Sequence, residues 1–127
     1  VVWHADRSGR FAIRAVIAGT RVPRAQRPGS TVTVTIYTSA IATWYGPGFF
    51  GNTTACGEVL GYHTLGVANR TLPCGTPVAL YYQGRTIVVP VIDRGPYGNG
   101  ADWDLTEETA NRLGMYATET IGAVPLR

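Results

Sequence analysis

One short stretch, Leu105–Leu113, carries helix punctuation at both ends: Asp104 stands at the N-cap position, Glu107 at the capping-box position and Gly114 at the C-cap. The remainder of the chain reads as short strands separated by turns. Arg10–Ile17 mixes alternating and continuous apolar character, and Thr31–Thr38 alternates with period two. Further strands are expected at Ile41–Tyr45, Leu65–Asn69, Pro77–Tyr82, Arg85–Ile92 and Thr120–Leu126, with Gln83-Gly84 placed where a tight hairpin needs positive φ. With 16 Gly, 8 Pro and only 15% charged residues, the composition agrees with a turn-rich backbone. Strands with a single capped helix imply a small, mostly β barrel over residues 41–127, preceded by a β-rich N-terminal segment over residues 1–40.

Charge divides along the same line. Residues 1–40 hold six Arg against one Asp, whereas residues 41–127 hold five Arg against seven acids. The front arginines are scattered and lack the interleaved aromatic platform of a single-strand nucleic-acid surface, so no nucleic-acid partner is expected. No apolar run approaches the roughly 20 residues that cross a bilayer, so no membrane span is expected. The start at Val1-Val2-Trp3-His4 reads as a processed or trimmed piece. There is neither a Gly-rich phosphate loop nor a Gly-x-Ser-x-Gly elbow, which removes the usual support for nucleotide chemistry and serine hydrolysis.

Cys56 and Cys74 are each followed by Gly, the pattern of a staple between two loops. A disulfide here implies an oxidising compartment, the alternative being two free thiols. His4 and His63 lie too far from these cysteines for zinc-ligand spacing, so neither a metal nor any cofactor is expected.

Few groups remain to carry chemistry. Asp93 follows the apolar stretch Ile87–Ile92, interrupted by Pro90, and emerges where a buried sheet meets a loop, a place where partial desolvation prepares a carboxyl for general acid work. Its structural alternative is an Asx-turn or an ion pair with Arg94. Glu58 lies two residues beyond Cys56 on a loop the disulfide would stiffen, and Asp104 is explained by the helix cap. Trp44, Tyr45, Tyr97 and Trp103 offer flat rings near these acids, a combination suited to carbohydrate.

The blocks Ala42-Thr43-Trp44-Tyr45-Gly46-Pro47-Gly48-Phe49, Thr54-Ala55-Cys56-Gly57-Glu58, Arg70-Thr71-Leu72-Pro73-Cys74-Gly75-Thr76, Val91-Ile92-Asp93-Arg94-Gly95-Pro96-Tyr97 and Trp103-Asp104-Leu105-Thr106 occur in the order found in RlpA-like proteins. Over about residues 41–115 the sequence resembles that family, which implies a six-stranded double-psi β-barrel with one short α-helix. Residues 1–40 lie outside the resemblance and are only loosely similar to the last strands of an Ig-like repeat. The resemblance implies a secreted or envelope protein acting on peptidoglycan or another wall polysaccharide. Its catalytic members are lytic transglycosylases, in which an acid matching Asp93 protonates the glycosidic oxygen and then serves as base while the muramoyl 6-hydroxyl closes an anhydro ring. Glu58 matches a helper glutamate. Asn69 stands where catalytic members commonly have His, and amide chemistry there can bind sugar hydroxyls but cannot carry a proton between pH 5 and 8. The barrel is also similar to expansins, which loosen wall polysaccharides without cleaving them and pair an Asp like Asp93 with one like Asp104, and to barwin-like modules and secreted protease inhibitors.

Overall fold

The structure is a computed structural model that describes residues 8–14 and 31–126. It divides into two units, Val1–Ile36 and Tyr37–Arg127. In the first unit, β1 (Gly9–Arg14) and β2 (Thr31–Ile36) pair antiparallel in the register Gly9↔Ile36 to Arg14↔Thr31. The expected continuation of the first strand to Ile17, and the loop expected between the two strands, lie outside the described residues.

The second unit is a closed barrel of six strands with one helix. In chain order these are β3 (Thr38–Tyr45), β4 (Val67–Ala68), β5 (Pro77–Tyr82), β6 (Arg85–Asp93), β7 (Trp103–Thr106), helix α1 (Glu107–Leu113) and β8 (Glu119–Pro125). Around the barrel the order is β3-β7-β4-β6-β5-β8, with β3 and β7 parallel, β4 and β6 parallel, and the remaining neighbours antiparallel. Alternation sends Ala40 and Ala42 of β3, Val67 of β4, Val78 and Leu80 of β5, Val89 and Val91 of β6, Leu105 of β7 and Ile121 of β8 into one buried core. Leu113 and Met115 at the end of α1 close it. The β5–β6 hairpin turns at Gln83 and Gly84 with φ of 47° and 84°, the paired positive φ expected of this tight turn.

The expected strand Leu65–Asn69 shortens to Val67–Ala68, and two further boundaries differ from the sequence reading. The barrel's first strand begins at Thr38 because residues 38–42 pair with β8, so the edge that looked like the end of the front strand belongs to the barrel. The helix begins two residues later than expected, and Asp104 is not its cap. Trp103–Thr106 runs as a strand beside β3, with Trp103 and Leu105 inside, and Thr106 caps the helix: its Oγ1 accepts from the N–H of Thr109 at 3.3 Å. Thr109 therefore takes the position three residues past the cap, and Glu107 and Glu108 supply negative charge in the first turn.

Candidate functional site

The site grows out of a change of register. Val67 of β4 stands opposite Val91 of β6, but the next residue, Ala68, stands opposite Asp93. Ile92 is the additional residue, and it packs on Gly66, where a Cβ would come within 2.7 Å of its side chain. In an unshifted ladder Asp93 would follow Val91 toward the core; one additional residue turns it to the Ala68 side instead. Ala68 also stands opposite Asp104 of β7, which in turn stands opposite Thr43 of β3. Asp93, Ala68, Asp104 and Thr43 thus form one row across four strands, with the two aspartates on either side of Ala68.

Each member is held by short contacts. Asp93 Oδ1 accepts from the backbone N–H of Ala55 and of Arg94, both at 2.9 Å, and its Oδ2 accepts from the Tyr45 hydroxyl at 3.3 Å. Asp104 Oδ1 accepts from the Thr43 hydroxyl at 2.9 Å. Burial, and then the Asp93 carboxylate beside it, raise the Asp104 pKa, an effect the Thr43 hydrogen bond partly offsets. Tyr45 is pushed far above the usual phenol range by burial and by both aspartates, so it remains a neutral donor. Phe49, largely exposed, meets the Tyr45 ring edge-on at 6.0 Å and extends the aromatic surface outward.

Two loops frame the row. Cys56 and Cys74 are disulfide-bonded, as expected. The bond ties the loop carrying the Ala55 N–H to the segment after β4, and the Cys56 N–H also donates to the Ile92 carbonyl at 3.1 Å. Arg94 does not pair with Asp93 through its side chain; its guanidinium donates to the carbonyls of Asn69 and Leu72 at 3.1 and 2.7 Å. Arg70 reciprocates, donating to the carbonyls of Pro96 and Ala101 at 2.6 and 2.9 Å. These two arginines fix the loops on either side of the row, a role the sequence reading missed because their partners are main-chain carbonyls more than 20 residues away.

The other expected site residues are distributed as follows. Asn69 places its Oδ1 on the N–H groups of Thr71 and Leu72, at 3.0 and 2.9 Å, while its own N–H donates to the Asp93 carbonyl at 3.1 Å. Glu58 is exposed and lines a hollow of about 310 Å³ beside the disulfide, Pro90 and Ile92; Asp93 is not part of that lining. Trp103 is buried in the core at 7% exposure, and Trp44 packs half-buried against it, both from strands rather than loops. Tyr97 is 77% exposed on the loop after Asp93. His63 projects into solvent, its Nδ1 3.9 Å from Glu108 Oε1. Thr43, Ala68 and Ala55 escaped sequence reasoning: none is an ionisable type, and only strand register brings them to the carboxylates.

A family model described as "Lytic transglycolase" matches residues 37–127. The chain belongs to the RlpA-like double-psi β-barrel family. Within this family it is 37% identical over 112 residues to the probable endolytic peptidoglycan transglycosylase RlpA of Synechocystis, covering 87% of this chain and 35% of that protein. It is 39% identical over 89 residues to the endolytic peptidoglycan transglycosylase RlpA of Campylobacter jejuni, covering 68% of this chain and 31% of that one. The chain therefore spans about a third of the length of these RlpA relatives. Among solved structures, a mutant of Clavibacter michiganensis expansin in complex with cellohexaose superimposes with a TM-score of 0.58 at 26% identity, over 72% of this chain and 51% of that one. The RlpA-like barrel and the expansin barrel thus share their architecture.

Proposed function

We propose that this domain cuts the glycan strands of peptidoglycan by lytic transglycosylation, with Asp93 and Asp104 dividing the proton work. The observation that carries this reading is the pair itself: two carboxylates on one row, across Ala68, beside a neutral Tyr45 hydroxyl. Asp93 accepts three hydrogen bonds. Asp104 accepts one, and burial raises its pKa. Asp104 donates its proton to the glycosidic oxygen as the bond to the anomeric carbon breaks. The muramoyl 6-hydroxyl oxygen attacks that carbon and passes its own proton to Asp93, and proton transfer from Asp93 to Asp104 restores the pair. No water enters, so the two carboxylates need not be spaced to hold a nucleophilic water as in inverting hydrolysis. Glu58, on its separate hollow, is assigned to substrate contact at the margin.

The RlpA relatives support the substrate class, and the disulfide fits the oxidising, extracytoplasmic setting in which a wall enzyme works. No described helix is long and apolar enough to cross a membrane. The test is mass spectrometry of isolated sacculi after incubation. Anhydro-ended muropeptides should appear with the native protein and vanish with Asp93→Asn, whose fold is checked by its melting curve; a well-folded native protein that releases none rejects the reading.

A second reading is favoured by Asn69, whose side-chain oxygen is committed to its own loop where catalytic relatives commonly carry His. The domain would then bind and loosen wall polysaccharide without cutting it, as the likeness to the cellohexaose-bound expansin supports. It expects the chain to pellet with insoluble wall material and release no fragment.

A further inference from the structure

A hollow of about 540 Å³ lies away from the carboxylate row. Strand register explains its shape. Tyr81 of β5, Gly122 of β8 and Ser39 of β3 stand in one row across three neighbouring strands. The missing side chain at position 122 leaves a trough, into which the Tyr37 ring settles: a Cβ on Gly122 would come 2.8 Å from the Tyr37 Cβ. Tyr37 and Tyr81 lie 5.6 Å apart between ring centroids at 38°, so they form a bent aromatic wall instead of a flat stack. Tyr82, Gln83, Glu119 and Thr120 add hydroxyl, amide and carboxylate groups to the lining, and Ile121 adds an apolar one.

The chemistry of this lining selects its ligand. Flat faces with polar tips suit a partner that is apolar on one side and hydroxylated at its edges. Among the described lining residues there is no Arg, Lys or His, and the one charged group is the Glu119 carboxylate, so phosphates and acidic chains are disfavoured. A neutral polyhydroxylated chain meets both conditions. Tyr82 pairs with Arg85 at the start of β6, whereas Asp93 ends that strand. Along β6 eight residues of extended chain, roughly 25 Å, separate Arg85 from Asp93, and along β3 four residues, roughly 13 Å, separate Ser39 of the trough from Thr43 of the carboxylate row.

We propose that this tyrosine trough is a second glycan-binding site, which takes a neutral stretch of polysaccharide on its aromatic faces and tethers the barrel to the wall while chemistry proceeds at the other end of β6. The proposal rests on wall glycan being the substrate, but its test does not require turnover. The probe is uncharged chitohexaose, titrated into isotope-labelled protein and followed by NMR. The amides of Gln83, Thr120 and Gly122 should shift on sugar addition. Tyr81→Ala removes an exposed ring and should weaken that response about fivefold. Glu119→Gln, which keeps size and hydrogen bonding, should leave it within about twofold, and Asp93→Asn should leave it unchanged. Two results overturn the proposal: trough amides that do not respond to sugar or respond equally in Tyr81→Ala, and trough amides that move with protein concentration instead, which marks a contact between copies of the chain. Trough binding that persists without anhydro products rejects the catalytic reading alone, and anhydro products without trough binding reject the tether alone.

Discussion

At Tyr45 a single hydroxyl group separates two expectations. The hydroxyl donates to Asp93 Oδ2, a hydrogen bond to a charged group of the kind that contributes about 1.5–3 kcal/mol. Tyr45→Phe keeps the ring and its edge contact with Phe49, so release of anhydro products from the folded variant should slow at least about tenfold, beyond what its lowered melting temperature explains. An unchanged rate would remove the hydroxyl from the mechanism. Asp104 supports a prediction about stability. Its pKa is raised in the folded state, chiefly by burial, so native structure favours the protonated form. The stability this confers is complete below the unfolded carboxylate pKa and is lost as pH rises through the raised native value. Asp104→Asn keeps an acceptor for Thr43 and removes the ionisation; it should melt higher than the native protein at pH 7, the difference closing near pH 3. Thermal scans across that range check the sign, and an Asn variant that melts lower at pH 7 contradicts it. Asp93 was legible in sequence because an acid ending an apolar strand is conspicuous. Asp104 was not, because a helix cap explained it and nothing in the local pattern reveals that Ala68 places it beside Asp93.

Elements rather than residues decide where Asp93 points. The disulfide closes a loop of 18 positions, and losing it by Cys56→Ser, with Cys74→Ser to avoid a stray thiol, should cost about 3 kcal/mol in chemical denaturation. It should also slow turnover, because the Ala55 N–H that holds Asp93 rides on that loop. Gly66 gives a sharper test. Its N–H donates to Thr109 Oγ1 and its carbonyl accepts from Thr106, so it joins the helix start to the segment beneath Ile92. Gly66→Ala drives a methyl group into Ile92, the residue whose insertion turns Asp93. A loss of about 1–3 kcal/mol is expected, with a fall in activity beyond what unfolding explains. Full activity in a stable Gly66→Ala protein would show that the register shift does not aim the acid. The β5–β6 hairpin was readable from Gln83-Gly84, since a turn of that kind is a local property. Strand β7 was hidden because its four residues run straight into a helix, and only parallel pairing with β3 makes them a strand.

For the whole molecule, barrel closure brings together segments that are distant in sequence. Thr43, Ala68, Asp93 and Asp104 come from four strands, and the closed order β3-β7-β4-β6-β5-β8 is what makes them neighbours. Composition, turn residues and one capped helix indicate a small mostly β barrel, and ordered sequence blocks indicate its family. Strand order and register are non-local, which is why the acid cluster had to be read from structure. The central claim is that this cluster drives ring closure by the substrate's own hydroxyl in place of attack by water. Digestion of sacculi in heavy-oxygen water, with the new glycan ends weighed by mass spectrometry, tests it most directly. The expected result is 1,6-anhydro ends one water lighter than reducing ends and free of the heavy isotope, absent in Asp93→Asn; reducing ends carrying the isotope, or products undiminished in that variant, would contradict it.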